Sequence, residues 1–450
     1  MEILIAAALE ALGGHIGDID TLLLAEWFND FPDEEPLILG RRFTPIMTSH
    51  HRNHIGTVLP SGLTDFVAVV ADGGSEDGTT KIYEVRDGAA NLISDHDDDI
   101  ITGKFYGTIT QMVVDPDHRL SHQSYPGKLM GLAPLGEWSD ELSDLIDAHA
   151  SALNTLHDDC SGLREIFGLS DDYAAFWTDR RRRDLAHTAQ EIWIQRFMEV
   201  IGSVANRSSA IALSGGCALN IQLNERIRRS RMFEHVYVPP VANDSGQSLG
   251  AVLSHDPTIA CDYPFLGRTS GRSCDAPYKL VTDDLLAGRV VAFCEGRAEI
   301  GPRALGNRSL FALPNSMDMH QRLSVEVKGR EAYRPLAPTV LEDQASVWFD
   351  IDVPSPYMTF APQTRAAAKS HIPAAIHIDG SARIQTVARH DGRSLSRILE
   401  ELERRGHPPI VLNSSFNLSR EAMVDSYDDA VRVYRTCGAD ILYLNGVRVS

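Results

Sequence analysis

His50-His51-Arg52-Asn53-His54 is the first run along the chain whose residue types and spacing could do chemistry. On a helix, positions four apart share a face, so His50 and His54 can converge on one metal ion while His51 points elsewhere. Imidazole nitrogen suits iron, zinc and related divalent ions. Asp72 follows the apolar run Phe66 to Ala71 (FVAVVA) and precedes Gly73-Gly74-Ser75. A carboxylate at the C-terminal end of a buried strand stands where α/β folds hold ligands. Asp244, in Pro239-Pro240-Val241-Ala242-Asn243-Asp244-Ser245-Gly246, occupies another strand-to-helix junction. Singly, each feature has a plain structural reading: a surface histidine cluster, a turn residue, a helix N-cap. Together, His50, His54, Asp72 and Asp244 make a mixed nitrogen–oxygen donor set with open positions.

Two further groups suit anions. In Leu213-Ser214-Gly215-Gly216-Cys217-Ala218-Leu219-Asn220 a strand enters two glycines and then a helix. Backbone N–H groups and the helix dipole can there approach a phosphate closely, although paired glycines also mark ordinary turns. In the second half, Gly301-Pro302-Arg303-Ala304-Leu305-Gly306-Asn307-Arg308-Ser309 presents two guanidiniums in a stretch that cannot be a plain helix. Lys328, Arg330 and Arg334 follow in KGREAYRP, then Arg383 in DGSARIQT and Asn413-Ser414-Ser415-Phe416-Asn417. Arginine grips phosphate and carboxylate oxygens with a fork of donors, and lysine adds a point charge. Such a set suits two anionic substrates held together. Surface salt bridges on an acidic protein are the plainer alternative.

The elements that must position these residues alternate apolar runs with helical patterns, the signature of an α/β protein. An amphipathic helix (MEILIAAALEALGG) leads to a strand over Asp18 to Ala25. Phe66 to Ala71 reads as a buried strand pairing with Lys81 to Val85. Ala210 to Leu213 is a strand, followed by a helix from Ala218 to Ser230, a strand over His235 to Val238 and a helix from Asp244 to Leu253. Ser254 to Pro277, rich in proline and glycine, is the expected linker, and Val290 to Cys294 opens a second alternating unit. At 450 residues the chain exceeds one hydrophobic core. Two domains are expected, at 1–265 and 280–450. The opening segment lacks the basic start and cleavage site of a signal peptide, and no apolar stretch reaches the roughly 18 residues of a membrane span. The six cysteines show no C-x-x-C pair, so reduced thiols and a cytoplasmic location are expected. A net charge of −20 disfavours nucleic acid as a partner. The one basic run, Arg180 to Arg183, reads as the solvated start of a helix through Ala205.

HHRNH, SGGCALN, ANDSGQSLG, GPRALGNRS, KGREAYRPLAP and NSSFN occur in this order. Over about residues 1 to 450 the chain closely resembles the antibiotic and nodulation-factor O-carbamoyltransferases. The resemblance implies a first domain of the actin and sugar-kinase (ribonuclease-H-like) superfamily, similar to tRNA threonylcarbamoyl-transfer enzymes. It implies a second, α/β domain similar to threonylcarbamoyl-AMP synthases. The implied second domain makes carbamoyl-AMP from carbamoyl phosphate and ATP, and the first transfers the carbamoyl group to a hydroxyl of a small molecule, an antibiotic or other secondary metabolite. Carried over by motif, His50, His54, Asp72 and Asp244 resemble the ligands of one Fe2+ per chain. Ser214, Gly215, Gly216, Asn220 and Asn417 resemble nucleotide contacts. Arg303, Arg308, Lys328, Arg334, Arg383 and Ser415 resemble the adenylation-site contacts, with Mg2+ as a further ion. Lys128 in YPGKLMGLAP matches the family without an assigned role.

Two departures set further expectations. Family members open with a strand, a glycine-rich turn and a histidine serving the transfer step, and nothing before Ile19 matches that region. A transfer domain without its first strands, an unpaired edge in its central sheet, slow transfer, and a partner supplying the region are therefore expected, alongside a homodimer. NSSFNLSREAM also carries Arg420 and Ala422 where the family has glycine and proline. The alternatives are a tRNA threonylcarbamoyl transferase, a sugar or acetate kinase, and a non-catalytic binding homologue.

Overall fold

Residues 66–71 are apolar without alternation because the strand they form is covered on both faces. The computed structural model describes residues 14–25, 36–114, 126–155, 159–173, 175–270, 277–419 and 421–449. The expected N-terminal helix, part of the expected linker, and Arg420 lie outside the described residues. Of the strand expected over Asp18 to Ala25, only Leu23–Ala25 (β1) is extended. Asp18 instead closes a one-turn helix, Ile16–Asp18, by accepting the His15 N–H at 2.6 Å. β1 pairs in parallel with Ile46–Thr48 (β4), and Leu37–Ile38 (β2) pairs with Arg41–Arg42 (β3).

The first large sheet comprises Asp65–Ser75 (β5), Gly78–Arg86 (β6), Ala89–Asp95 (β7), Ala210–Ser214 (β8) and His235–Tyr237 (β9), in the order β7-β6-β5-β8-β9. β5, β6 and β7 run antiparallel, whereas β8 and β9 join β5 in parallel. All five strands of this sheet come from residues 65–237, β7 and β9 are its edges, and the short β1–β4 pair is a separate sheet.

Among the helices packed around this sheet are α1 (His50–Gly56), α2 (Gly103–Val113), α3 (Arg180–Val204), α4 (Ile221–Ser230) and α5 (Gln247–His255). Val67, Val69 and Ala71 pack with Phe105, Ile109, Trp193 and Phe197 of α2 and α3 on one face. Phe66, Ala68 and Val70 pack with Ile55 of α1 on the other. Two expected helices split at their start. A short turn, Gly216–Leu219, precedes α4, because the Asn220 side chain accepts the Leu223 N–H and caps a fresh helix. Asp244–Gly246 forms a similar turn before α5.

The basic run also departs from its reading. Arg182 is fully buried, its guanidinium donating to the Met112 and Val113 carbonyls at 2.7 and 2.9 Å and lying 4.1 Å over the Tyr173 ring. The terminal nitrogens of this cation find main-chain carbonyls, which lowers the cost of its burial.

The second sheet comprises Val291–Cys294 (β10), Arg308–Ala312 (β11), Ala337–Leu341 (β12), Gln385–Val387 (β13), Ile410–Ser415 (β14), Ile441–Leu444 (β15) and Val447–Arg448 (β16), in the order β13-β12-β14-β11-β10-β15-β16. Buried side chains flank it on both faces. The chain is thus an α/β protein built on two sheets. Polar contacts join the halves: Asn224 donates to the Thr359 carbonyl at 3.0 Å, Arg228 meets Asp352 at 2.7 Å, and Lys128 meets Glu331 at 2.8 Å. Among the described residues no helix is long and apolar enough to cross a membrane.

Candidate functional site

α1 begins where the Ser49 side chain accepts the Arg52 N–H, which sets His50 and His54 on one face. The helix then meets α5 at glycines. A Cβ on Gly250 would lie 1.8 Å from the Asn53 carbonyl oxygen, and one on Gly56 would lie 2.2 Å from the Gly250 oxygen. Only that close crossing brings the two histidines to Asp244 at the foot of α5 and Asp72 at the end of β5. One donor atom from each of His50, His54, Asp72 and Asp244 falls within 4.8 Å of the others. The separations are 3.1 Å between the two Nε2 atoms, 3.1 Å from His54 Nε2 to Asp72 Oδ2, and 3.4 Å from His50 Nε2 to Asp244 Oδ1.

Ligand bonds of about 2.0–2.2 Å to one ion require donor spacings of roughly 3–3.5 Å. The donor set therefore fits a divalent cation. Two imidazoles presenting the same ring nitrogen to each other make an arrangement that an ion reconciles better than a proton. The electrostatics agree: burial depresses His54, but hydrogen bonds to Asp244 and Asp72 carry it up to about 9. Burial would raise Asp72, but hydrogen bonds from both histidines hold it well below the usual carboxylate range. His51 turns away, with Nδ1 3.0 Å from the Tyr83 hydroxyl.

Asp72 also faces the glycine loop. Its Oδ2 accepts the Gly216 N–H at 3.2 Å, and its Oδ1 accepts the Gly73 N–H at 2.6 Å. Gly215 has φ +86°, and a Cβ there would lie 2.1 Å from the Ala71 carbonyl oxygen, so the loop approaches β5 as only glycine allows. Ser214 lies behind it, with Oγ 3.3 Å from the Ala242 carbonyl. Asn220 is buried, and its amide is engaged by Leu223 and by Gln190 at 3.1–3.3 Å. It shapes the loop from below.

In the second half the guanidiniums of Arg303, Arg330, Arg334 and Arg383 lie close enough to repel one another, and Arg330 and Arg334 also act on Lys328. Burial and neighbouring Arg334 lower Arg303 to about 10. Burial with Arg334 and Arg303 lowers Arg330 to about 9. Burial and the three other guanidiniums hold Arg383 well below its ordinary range. Lys328 is pushed down to about 6 by burial and by Arg330, although its ammonium donates to the Ser415 and Asn417 carbonyls at 2.7 Å each. Ser415 Oγ donates to Asn417 Oδ1 at 2.7 Å, completing the Lys328 seat. Glu331 is the acid among them, shared between Lys128 at 2.8 Å and Arg334 at 3.5 Å. Arg330 stands out in KGREAYRP by its charge, yet only the fold distinguishes it from a surface residue.

Arg308 does not join this cluster, a correction to its reading as a ligand contact. Its terminal nitrogens donate to the carbonyls of Glu295, Asn307, Arg268, Gly296 and Asp425, at 2.7–3.3 Å. Glu299 supports the same loop: its Oε1 accepts the Leu305, Asn307 and Arg308 N–H groups. No motif signals that role. Ala218, Leu219, Pro240, Arg303, Met358 and Thr359 border a small cleft between the halves.

The family model described as carbamoyltransferase N-terminus matches residues 41–253, and the one described as carbamoyltransferase C-terminus matches residues 282–450. The chain belongs to the carbamoyltransferase family. Nodulation protein U of Rhizobium tropici is 38% identical over 251 residues, covering 53% of this chain and 43% of that protein. Nodulation protein NolNO of Sinorhizobium fredii is 30% identical over 347 residues, covering 70% of this chain and 51% of that protein. This carbamoyltransferase-family chain thus spans about half the length of the nodulation proteins it matches. Among solved structures, full-length HypF in its phosphate- and nucleotide-bound form aligns at a TM-score of 0.31 and 15% identity, over 54% of this chain and 48% of that one.

Proposed function

We propose that this carbamoyltransferase-family chain forms carbamoyl-AMP from carbamoyl phosphate and ATP in its second half and passes the carbamoyl group to a small-molecule hydroxyl in its first. The observation that carries this reading is the mutual proximity of the buried guanidiniums of Arg303, Arg330, Arg334 and Arg383, two of which also act on Lys328, with the carboxylate of Glu331 paired to Arg334 and Lys128. Such a site gains most from ligands bearing several negative charges. The chemistry balances in two stages. Carbamoyl phosphate loses phosphate to water and leaves carbamate, whose oxygen attacks the α-phosphorus of ATP as pyrophosphate departs. The acceptor oxygen then attacks the carbamoyl carbon, its proton is lost, and AMP leaves.

The arginines bind and orient the two anions and offset charge as pyrophosphate separates. Lys328, seated by Ser415 and Asn417, regains its proton when an anion arrives. In the first half the Gly215–Gly216 loop would let the adenylate phosphate approach the main chain beside Asp72, which holds the Gly216 N–H at 3.2 Å. His50, His54, Asp72 and Asp244 would hold a divalent ion, iron by resemblance, which when bound supplies a Lewis acid beside that loop. Five free cysteines among the described residues support a reducing, cytoplasmic setting.

The test is carbamoyl-phosphate-dependent release of pyrophosphate from ATP. Lys328→Ala, Arg330→Ala or Arg334→Ala each removes a charge-assisted contact of roughly 1.5–3 kcal/mol, a loss of about ten- to a hundredfold in rate. Undiminished release in all three variants refutes the assignment. Phosphorylation of a sugar in place of pyrophosphate release selects the kinase alternative.

A further inference from the structure

Lys104 is the second residue of α2, on the first turn after the Thr102 cap. The start of that helix is pressed against the candidate metal and phosphate site: a Cβ on Gly103 would lie 2.7 Å from the Gly73 nitrogen and 2.8 Å from the Asp72 carbonyl carbon. From there the Lys104 side chain reaches along the end of β5. A Cβ on Gly74 would lie 3.2 Å from Lys104 Cε and 3.6 Å from its Nζ. The side chain is half-buried, yet among the described residues it has no hydrogen-bond or ion-pair partner. That is out of pattern for a chain with a net charge of −20, in which Lys81 meets Asp95 at 2.9 Å and Lys128 meets Glu331 at 2.8 Å.

The surroundings call for a cation. Asp72 and Asp244 place two carboxylates beside the loop that would receive an adenylate phosphate. A divalent ion held there would offset those two carboxylates, but the adenylate phosphate brings further negative charge. Unit charges about 4 Å apart near a protein surface interact by some kilocalories per mole, so a further positive group in reach favours the phosphate. We propose that Lys104 is a phosphate-binding residue of the first-half site, its ammonium meeting the adenylate phosphate at the Asp72–Gly74 end of β5. This rests on the reading that the adenylate reaches the first half, and it adds a contact that neither the glycine loop nor the four metal-binding candidates supply.

The experiment compares AMP with adenosine, which differ by the phosphate alone. Calorimetric titrations use the full chain with its second-half cluster disabled by Lys328→Ala and Arg330→Ala. AMP is expected to bind at least tenfold more tightly than adenosine. Adding Lys104→Ala or Lys104→Gln should abolish that advantage while adenosine affinity stays the same, and Lys104→Arg should retain it. An undiminished AMP advantage in both neutral variants overturns the proposal. If neither compound binds the cluster-disabled chain, the reading of the first half falls together with the proposal. Pyrophosphate release by the unaltered chain judges the adenylation reading separately.

Discussion

At the scale of single residues, the cations of the second half divide into those that bind each other's ligands and those that bind the protein. Arg308 belongs to the second group, because its terminal N–H donors already meet main-chain carbonyls. Arg308→Met should lower unfolding free energy by more than about 3 kcal/mol, as buried acceptors lose their donors. Urea denaturation checks this. A variant of unchanged stability and raised KM for ATP would return Arg308 to the ligand site.

Lys328 gives the pH dependence. Its folded value of about 6 lies below its unfolded value of 10.5, so the unfolded chain binds the extra proton between those limits. The burden on stability is full below pH 6 and is relieved as pH rises toward 10.5. The stability advantage of Lys328→Met over wild type should therefore shrink from pH 7 to pH 9 in paired melts. An advantage independent of pH would mean that Lys328 keeps its proton in the fold. The residue types of the site were legible because each motif pairs a charged group with glycine or proline. The direction in which a charged side chain points was not, which is why Arg308 and Arg330 exchange places between sequence and structure.

At the scale of elements, the crossing of α1 and α5 sets the spacing of the donor atoms. Gly250→Ala gains helix propensity of up to about 1 kcal/mol, but the new Cβ would fall 1.8 Å from the Asn53 oxygen. Overpacking of that kind outweighs the gain by roughly 1–3 kcal/mol. The variant should melt lower and retain less than half of the metal bound by wild type, measured by elemental analysis after anaerobic purification. Full metal content would show that the crossing does not govern the site. The histidine pair and both carboxylates were visible in the sequence because helix period and strand ends fix them locally. The glycine contact between helices nearly two hundred residues apart has no local signature. For the same reason β5 and β8 were readable as strands from their apolar runs, whereas the order of the sheet was not.

At the scale of the whole molecule, the two halves are joined through a buried arginine of the first half that reaches an exposed aspartate of the second. Arg228 is nearly inaccessible and joins Glu225 at 2.7 Å on its own helix to Asp352 at 2.7 Å in the second half. Removing one partner of such a network typically costs about 3–5 kcal/mol, because a charge is left buried and unpaired. Arg228→Ala should separate the unfolding of the two sheets into two calorimetric transitions, with the second-half cluster still releasing pyrophosphate. A single transition at the wild-type temperature would show that this link is dispensable.

Asp72 joins the first-half features in another way. One of its oxygens faces both histidines and also accepts the Gly216 N–H of the glycine loop. Under the proposed function a single atom therefore serves the place of an ion and the place of a phosphate, and the two occupancies are thermodynamically linked. Reciprocity then holds without further assumption: whatever factor the ion applies to nucleotide affinity, the nucleotide applies to the ion's affinity. Titrating either one reports on the other, and neither affinity is a fixed property of the chain alone.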